Sequence, residues 1–155
     1  MKPAIEIMKI SHTSQICEIE RASFATPWPA AFFIEELENP YSINLVAIID
    51  GNVAGYMCCR HIVNEGHIGN IAVAPNYRRQ GIAEALMLHL DSISKERELI
   101  GLTLEVASGN IAAQELYKKH GFISEGLRKN YYSDIKQDAI IMWKYFKNYE
   151  AEVAP

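Results

Sequence analysis

NIAVAPNYRRQGIAEAL, residues 70–86, joins an apolar run to an amphipathic stretch through a proline, two arginines and a glycine. The run before Pro75 predicts a β-strand, and apolar residues at helical spacing predict a long helix over 79–97. The start of a helix favours negative charge, yet Arg78 and Arg79 stand there. A strand followed by a helix whose first amides face outward forms an anion site suited to a pyrophosphate.

The small residues of this loop support the same interpretation. Gly81 has no β-carbon and Ala83 has only a methyl group, so a ligand can lie against the backbone. The arginines can add charge-assisted hydrogen bonds. A Walker A loop and the dinucleotide motif G-x-G-x-x-G are both absent. The alternative is a helix that happens to begin with two arginines and a flexible glycine.

Composition places broad limits on the function. The chain has 155 residues, of which 49% are hydrophobic and 22% charged, and this is typical of one globular domain. Its net charge of −4 argues against a general nucleic-acid binder, and no apolar run is long enough to predict a membrane span. The three cysteines, Cys17, Cys58 and Cys59, are odd in number, and the neighbours Cys58 and Cys59 make a poor disulfide, so we expect a reducing cytoplasm.

Periodicity and turn signals predict the order β-α-α-β-β-β-α-β-α-β-β. Asp50-Gly51 is a strong hairpin signal between two apolar runs. Asn110 is placed to cap a helix that Gly121 ends. We expect one α/β domain over residues 1–147, followed by a C-terminal tail over 148–155.

Three stretches together resemble one enzyme family: NIAVAPNYRRQGIAEAL, LTLEVASGNIAAQELYKKHGF and RKNYYSDIKQDAIIM. They are similar to the GNAT family of acetyl-CoA-dependent N-acetyltransferases, and the resemblance covers roughly residues 4–145. Within that family they are similar to the RimI-type enzymes, which acetylate the N-terminal alanine of a ribosomal protein. The resemblance implies the GNAT fold, an α/β architecture with a mixed, mostly antiparallel sheet of about seven strands and about four helices.

The resemblance also implies which residues bind acetyl-CoA. Backbone groups of one strand would pair with the pantetheine arm, the loop and helix start would hold the pyrophosphate, and an asparagine would touch the cofactor. These residues are Ile71, Ala72, Val73, Arg78, Arg79, Gln80, Gly81, Ile82, Ala83, Glu84 and Asn110.

Two residues are candidates for proton transfer. Glu105 ends an apolar strand, where a carboxylate is expensive to bury and becomes a usable base; the resemblance assigns it as proton acceptor. Tyr117 follows on the inward face of the next helix, and the resemblance implies that its phenol protonates the leaving sulfur. The alternatives are an exposed glutamate at a strand end and a tyrosine that is simply part of the core.

Trp28, Tyr131 and Tyr132 are the substrate-binding candidates, again by resemblance. Two loops wall the peptide groove in related N-terminal acetyltransferases, and we place Trp28 in one and the two tyrosines in the other, before the last strand. The alternative for the tyrosines is aromatic packing at the base of a hairpin. His61, Glu65 and His67 match no usual zinc spacing, so we expect no metal.

The leading functional hypothesis is a protein N-terminal acetyltransferase that uses acetyl-CoA and a ribosomal protein, with no nucleic-acid or membrane partner. An α-amino group has a reference pKa near 8, against about 10.4 for lysine, so a single modest base suits it better. A GNAT enzyme acting on a lysine side chain or a small amine remains an alternative. A non-catalytic acyl-CoA-binding module is a third.

Overall fold

The computed structural model describes residues 2–146, so the expected tail over 148–155 lies outside the described residues. These residues form two compact units. The first unit contains residues 2–60 and 69–91, and the second contains residues 61–68 and 92–146.

Within residues 2–146, seven strands and four α-helices follow the order that the sequence predicts. They are β1 (Ala4–Ile7), α1 (Thr13–Ser23), α2 (Ala30–Glu38), β2 (Ile43–Ile49), β3 (Asn52–Ile62), β4 (Glu65–Val73), α3 (Ile82–Glu96), β5 (Gly101–Ala107), α4 (Ile111–Lys119), β6 (Ile123–Tyr132) and β7 (Gln137–Tyr145). Short 3-10 helices precede α1 and α3, at Ile10–His12 and Pro75–Tyr77.

The strands form one sheet in the order β1-β2-β3-β4-β5-β7-β6. β4 and β5 pair in parallel, whereas β1 with β2, β2 with β3, β5 with β7 and β6 with β7 pair antiparallel. The sheet is therefore mixed and mostly antiparallel. This confirms the α/β GNAT architecture expected from the sequence.

In the first unit, α1 and α2 supply apolar side chains to a core built on β2 and β3. Ile16, Ile19 and Phe33 are buried there with Val46 and Tyr56. The hairpin between β2 and β3 turns at Asp50 and Gly51, whose φ angles of 51° and 79° fit the left-handed turn favoured in two-residue hairpins.

The helix α3 begins at Ile82, three residues later than the sequence predicted. Arg79 and Gly81 have φ angles of 62° and 78°, and these left-handed conformations interrupt a right-handed helix. Once the helix has started, its apolar stripe is buried as expected at Ile82, Leu86 and Leu90.

In the second unit, β5 lies between β4 and β7, and one face of it is fully covered. Leu102, Leu104 and Val106 are buried on that face. The helix α4 then begins at the expected cap, because the Oδ1 of Asn110 accepts a hydrogen bond of 3.2 Å from the backbone N–H of Ala113. Gly121 follows the helix with a φ of 94°, the conformation expected of a residue that ends it.

Tyr131 and Tyr132 lie at the end of β6 and not in a loop, so that part of the sequence interpretation was wrong. The connection to β7 spans only residues 133–136. The pairing of β6 with β7 is irregular between Arg128 and Tyr132. This irregular segment coincides with the polar aromatic stretch that the sequence analysis interpreted as a loop.

Candidate active site

The loop before α3 is tied to its own unit by Arg78. Its Nε donates a hydrogen bond to the carbonyl oxygen of Val73 at 3.2 Å, and its Nη2 donates to Ser23 Oγ at 3.4 Å. The guanidinium therefore connects the loop with the end of β4 and the end of α1. Arg79, which follows it, is exposed.

The start of α3 has the features of an anion site. Ala85 N–H donates to Gly81 O at 3.0 Å, so the amides of Ile82 and Ala83 precede the first bond of the helix. A β-carbon placed on Gly81 would meet no atom within 4 Å, so the backbone is open on that side. Gln80 Nε2 holds the turn by donating to Asn76 O at 3.2 Å. These residues fit a pyrophosphate.

The other residues of the first unit that are expected to bind acetyl-CoA, Ile71, Ala72 and Val73, lie at the end of β4. Ala72 is buried against the core, whereas Ile71 and Val73 are half-buried. Ala74 N–H donates to Ala54 O at 2.8 Å, which ties the strand end to β3. The first unit thus brings residues 71–73 and 78–84 into one continuous segment, while Asn110 lies in the second unit.

Glu105 lies near the end of β5, but it is not buried as expected. Its side chain is 30% exposed, and the Nη2 of Arg128 lies 3.7 Å from its Oε1. The phenol of Tyr132 donates a hydrogen bond of 3.2 Å to the backbone oxygen of Glu105. The carboxylate is therefore accessible and held beside a positive charge.

Tyr117 is on the inward face of α4, as the sequence indicated, and is only 8% exposed. Burial raises the pKa of its phenol to about 12, and the neighbouring Tyr132 raises that pKa further. The pKa of Tyr132 also rises to about 12, first through burial and then through Tyr131 and Glu105. Both phenols are therefore protonated at neutral pH, and Tyr132 already uses its proton in the hydrogen bond to the backbone oxygen of Glu105.

The end of β6 adds two more side chains, Arg128 and Tyr131, to the surroundings of Glu105 and Tyr132. The rings of Tyr131 and Tyr132 pack edge to face with centroids 5.1 Å apart, and Arg128 lies 5.6 Å from the centre of the Tyr131 ring. The second unit thus brings Glu105, Tyr117, Arg128, Tyr131 and Tyr132 together, and we refer to these five residues as the Glu105 cluster.

Trp28 lies in the first unit, in the segment between α1 and α2. Its ring packs against Phe33 with centroids 5.6 Å apart, and a β-carbon on Gly69 would come within 3.1 Å of it. A pocket of about 400 Å³ lies beside this ring, between the start of α1 and the Pro27–Ala30 segment. Trp28 is therefore both part of the packing and accessible from that pocket.

Sequence reasoning missed a buried carboxylate that fixes the position of Trp28. Glu20 is 1% exposed, and its Oε2 accepts from Trp28 N–H at 2.8 Å. Its Oε1 accepts from Asn70 Nδ2 at 2.7 Å and from the phenol of Tyr56. Glu20 falls on the apolar stripe of α1 with Ile16, and a charged residue on such a stripe was the signal that could have found it.

The residues considered for a metal do not form a ligand set. His67 Nε2 lies 3.2 Å from Glu65 Oε1, whereas His61 Nε2 lies 2.9 Å from the backbone oxygen of Val63. Over residues 2–146, no group of three or more His, Cys, Asp and Glu side chains is arranged to hold an ion. Within that same range, no helix is long and apolar enough to cross a membrane.

Comparisons with known proteins agree with this geometry. The acetyltransferase (GNAT) family matches residues 13–122. A Bacillus subtilis protein, provisionally named a ribosomal protein bS18-alanine N-acetyltransferase, is 42% identical over 92% of this chain and 95% of its own. The Escherichia coli ribosomal-protein-S18-alanine N-acetyltransferase has a crystal structure with a TM-score of 0.86 and 32% identity, covering 92% of this chain and 93% of its own.

A third relative shows the cofactor. An acetyltransferase from Bacillus anthracis, solved in complex with acetyl coenzyme A, has a TM-score of 0.67 and 25% identity, covering 74% of this chain and 68% of its own. The family match extends over most of the chain. It includes Glu105, Tyr117 and the loop from Arg78 to Gly81 before α3, which we call the anion loop. The chain therefore belongs to the GNAT family and is an acetyl-CoA-dependent N-acetyltransferase.

Proposed function

We propose that this enzyme transfers the acetyl group of acetyl-CoA to the α-amino group of the N-terminal alanine of ribosomal protein bS18. The observation that carries the proposal is the similarity, over more than nine-tenths of the chain, to proteins named for that reaction. We further propose that residues 1–147 act as one catalytic domain and that the enzyme works in the cytoplasm on protein substrates, with no nucleic-acid or membrane partner and no metal.

Acetyl-CoA is held, in this proposal, by the segment that forms the anion site. The first amides of α3 and the exposed Arg79 face the pyrophosphate, and Gly81 lets it approach the backbone. Backbone groups of residues 71–73 bind the pantetheine arm. Asn110 is also assigned to cofactor binding, by the resemblance to the family, and its side chain caps α4.

When bound, acetyl-CoA supplies an activated thioester. The neutral amine forms a C–N bond to the acetyl carbon, and the carbon–sulfur bond breaks. Glu105 accepts the proton that the nitrogen loses, and its exposure allows this to occur directly or through water. The protonated phenol of Tyr117 donates to the departing sulfur, which leaves as the thiol. No covalent bond to the protein forms.

Substrate recognition is assigned to aromatic side chains, separately in each unit. In the first unit, Trp28 is fixed by Glu20 and its ring is open to the neighbouring pocket. In the second unit, Tyr131 and Tyr132 pack against each other, and Tyr131 is exposed and able to contact a peptide. An α-amine suits this site better than a lysine, because at neutral pH a far larger fraction of α-amines is already unprotonated.

Mass spectrometry of peptides incubated with acetyl-CoA tests the proposal. The panel contains peptides with free N-termini beginning Ala-Arg, Ser and Met, and an N-blocked peptide with an internal lysine. We expect one added acetyl group on the Ala-Arg peptide. Glu105→Gln and Tyr117→Phe should each lower kcat by about 100-fold or more, since general acid–base catalysis contributes on the order of 10²–10⁴.

Matched variants control for general effects of substitution. Glu115→Gln changes an exposed carboxylate on α4, and Tyr41→Phe changes an exposed phenol; both should leave kcat unaltered. Acetylation of only the blocked lysine peptide would instead identify a side-chain acetyltransferase. Full activity in Glu105→Gln would show that the base is another residue.

A further inference from the structure

The open face of the sheet in the second unit carries a row of side chains that the proposed reaction does not use. Thr103 of β5 pairs with His67 of β4 on one side and with Trp143 of β7 on the other. In the adjacent row Gly101 pairs with Glu65 and with Tyr145. Cross-strand partners have their side chains on the same face of the sheet, and so do alternate residues of one strand. Thr103 and Glu105 are alternate residues of β5, so Glu105 lies on this face as well.

Thr103 in the middle of this face is only 7% exposed, but its neighbours on β4 and β7 are less covered than the residues of the opposite face. On the opposite face, Leu102, Leu104 and Met142 are each at most 3% exposed. On the open face Trp143 and Tyr145 are half-buried. The rings of Trp143 and Tyr145 stack with centroids 5.5 Å apart and planes within 3°, and His67 packs edge-on against Trp143 at 6.4 Å. A continuous strip of aromatic rings is therefore partly open to solvent.

Carboxylates lie at both edges of these rings. Glu65 Oε1 is 3.2 Å from His67 Nε2 at one edge. At the other edge, the Tyr145 phenol donates to Glu125 Oε2 at 2.5 Å. We call His67, Trp143, Tyr145, Glu65 and Glu125 the aromatic strip. A cation stacks favourably on Trp and Tyr faces, and a planar guanidinium can bind a carboxylate at the same time.

The strip lies at a defined distance from the proposed base. Glu105 of β5 pairs with Ile141 of β7. Counted along β7 from Ile141, Trp143 is two residues away and Tyr145 is four residues away. At about 3.3 Å per residue, these separations are roughly 7 and 13 Å. An extended peptide advances by a similar length per residue, so residues three to five of a substrate would lie over the strip when its α-amine is at Glu105.

We propose that the aromatic strip is a subsite for an arginine side chain at the third to fifth residue of the protein substrate. The proposal rests on the proposed N-terminal acetyltransferase function. Proteins that bind nucleic acid carry arginine and lysine to neutralise phosphates, so a ribosomal substrate supplies such side chains. The guanidinium lies against the rings of the aromatic strip and contacts the carboxylates beside them. This contact determines which N-termini are acetylated fastest.

Three peptides of equal length, each beginning with alanine, test the subsite. The first has arginine at positions 3–5, the second has the neutral isostere citrulline there, and the third carries the same arginines at positions 9–11. We expect wild-type kcat/KM to be about tenfold higher for the first peptide than for the other two, through KM, since cation–π and charge-assisted contacts together reach that size. The advantage should shrink at high salt.

Variants connect the effect to the strip. In the double variant Glu65→Gln/Glu125→Gln, the arginine-to-citrulline ratio should fall towards one, and Trp143→Leu should reduce it as well. Glu115→Gln, on the exposed side of α4, should keep the wild-type ratio. The double variant removes only charge, so it remains informative if Trp143→Leu fails to fold.

Several outcomes would overturn the subsite. Equal kcat/KM for arginine at positions 3–5 and 9–11 would mean general charge attraction, and an unchanged ratio in the double variant would place recognition elsewhere. If sedimentation showed that these variants convert a wild-type dimer to a monomer, the strip would be an interface between copies. A wild-type enzyme that acetylates none of the free N-termini would refute the proposed function itself.

Discussion

Replacing Glu20 by glutamine should destabilise the enzyme far more than its conservative shape suggests. The buried carboxylate accepts hydrogen bonds on both oxygens, from Trp28 N–H on one and from Asn70 and Tyr56 on the other. All three partners are donors. A glutamine has one acceptor oxygen and one amide group, so its NH₂ must face at least one of these donors.

The magnitude follows from the lost contacts. The best glutamine orientation keeps Asn70 and Tyr56 on its oxygen and turns its NH₂ towards Trp28 N–H. A hydrogen bond to a charged group contributes about 1.5–3 kcal/mol, and a buried donor left without a partner costs about 1–3 kcal/mol. These contributions overlap, so we expect the free energy of unfolding to fall by about 2–4 kcal/mol.

Urea denaturation followed by circular dichroism measures this loss. The matched control is Glu18→Gln, an exposed carboxylate on the same helix, which should change stability by less than about 0.5 kcal/mol. Because Glu20 holds Trp28, the KM for peptides should rise in Glu20→Gln even where the protein remains folded. A stability equal to that of Glu18→Gln would refute the reasoning, since it would mean that the side chain of Glu20 does not accept from three donors.

Two further predictions concern the phenol of Tyr117 and the glycine of the anion loop. Because burial raises the pKa of Tyr117 to about 12, the folded state keeps a proton that the unfolded chain releases near pH 10; stability is complete below pH 10 and falls as pH rises towards 12. Between pH 9 and 12, the free energy of unfolding of Tyr117→Phe should fall by about 2 kcal/mol less than that of the wild type, as measured by chemical denaturation. An equal fall in both proteins would contradict the raised pKa. Gly81→Val and its control Gly51→Val place a side chain at φ angles of 78° and 79°, each in open space, so both should lose about 1–2 kcal/mol of stability. Only Gly81→Val should weaken CoA binding in calorimetry, and equal affinities would show that the loop does not contact the cofactor.

Local signals in the sequence were enough to predict the order of the elements. The Asp50-Gly51 turn, the Asn110 cap and the stop at Gly121 each depend on residues within one turn of chain, and the structure has all three. The start of α3 was wrong by three residues because helical periodicity does not show the left-handed conformations of Arg79 and Gly81.

The candidate site was harder to derive, because its contacts join distant parts of the chain. Glu20 lies 36 residues from Tyr56 and 50 from Asn70, so no local pattern reveals the network. The surroundings of Glu105 depend likewise on how β6 runs beside β7, which brings Arg128 to within 3.7 Å of the carboxylate. The strand pattern alone indicated burial.

Tyr132 links the proposed base, the proposed acid and a proposed peptide contact within the second unit. Its phenol donates to the backbone oxygen of Glu105, it contributes to the raised pKa of Tyr117, and its ring packs edge to face against that of Tyr131. A peptide that shifts Tyr132 therefore also shifts the proposed base and the proposed acid. Within the first unit, Trp28 contacts Glu20 and other aromatic rings. Changes at Trp28 should act on peptide affinity, whereas changes at Tyr132 act on affinity and on the chemical step together.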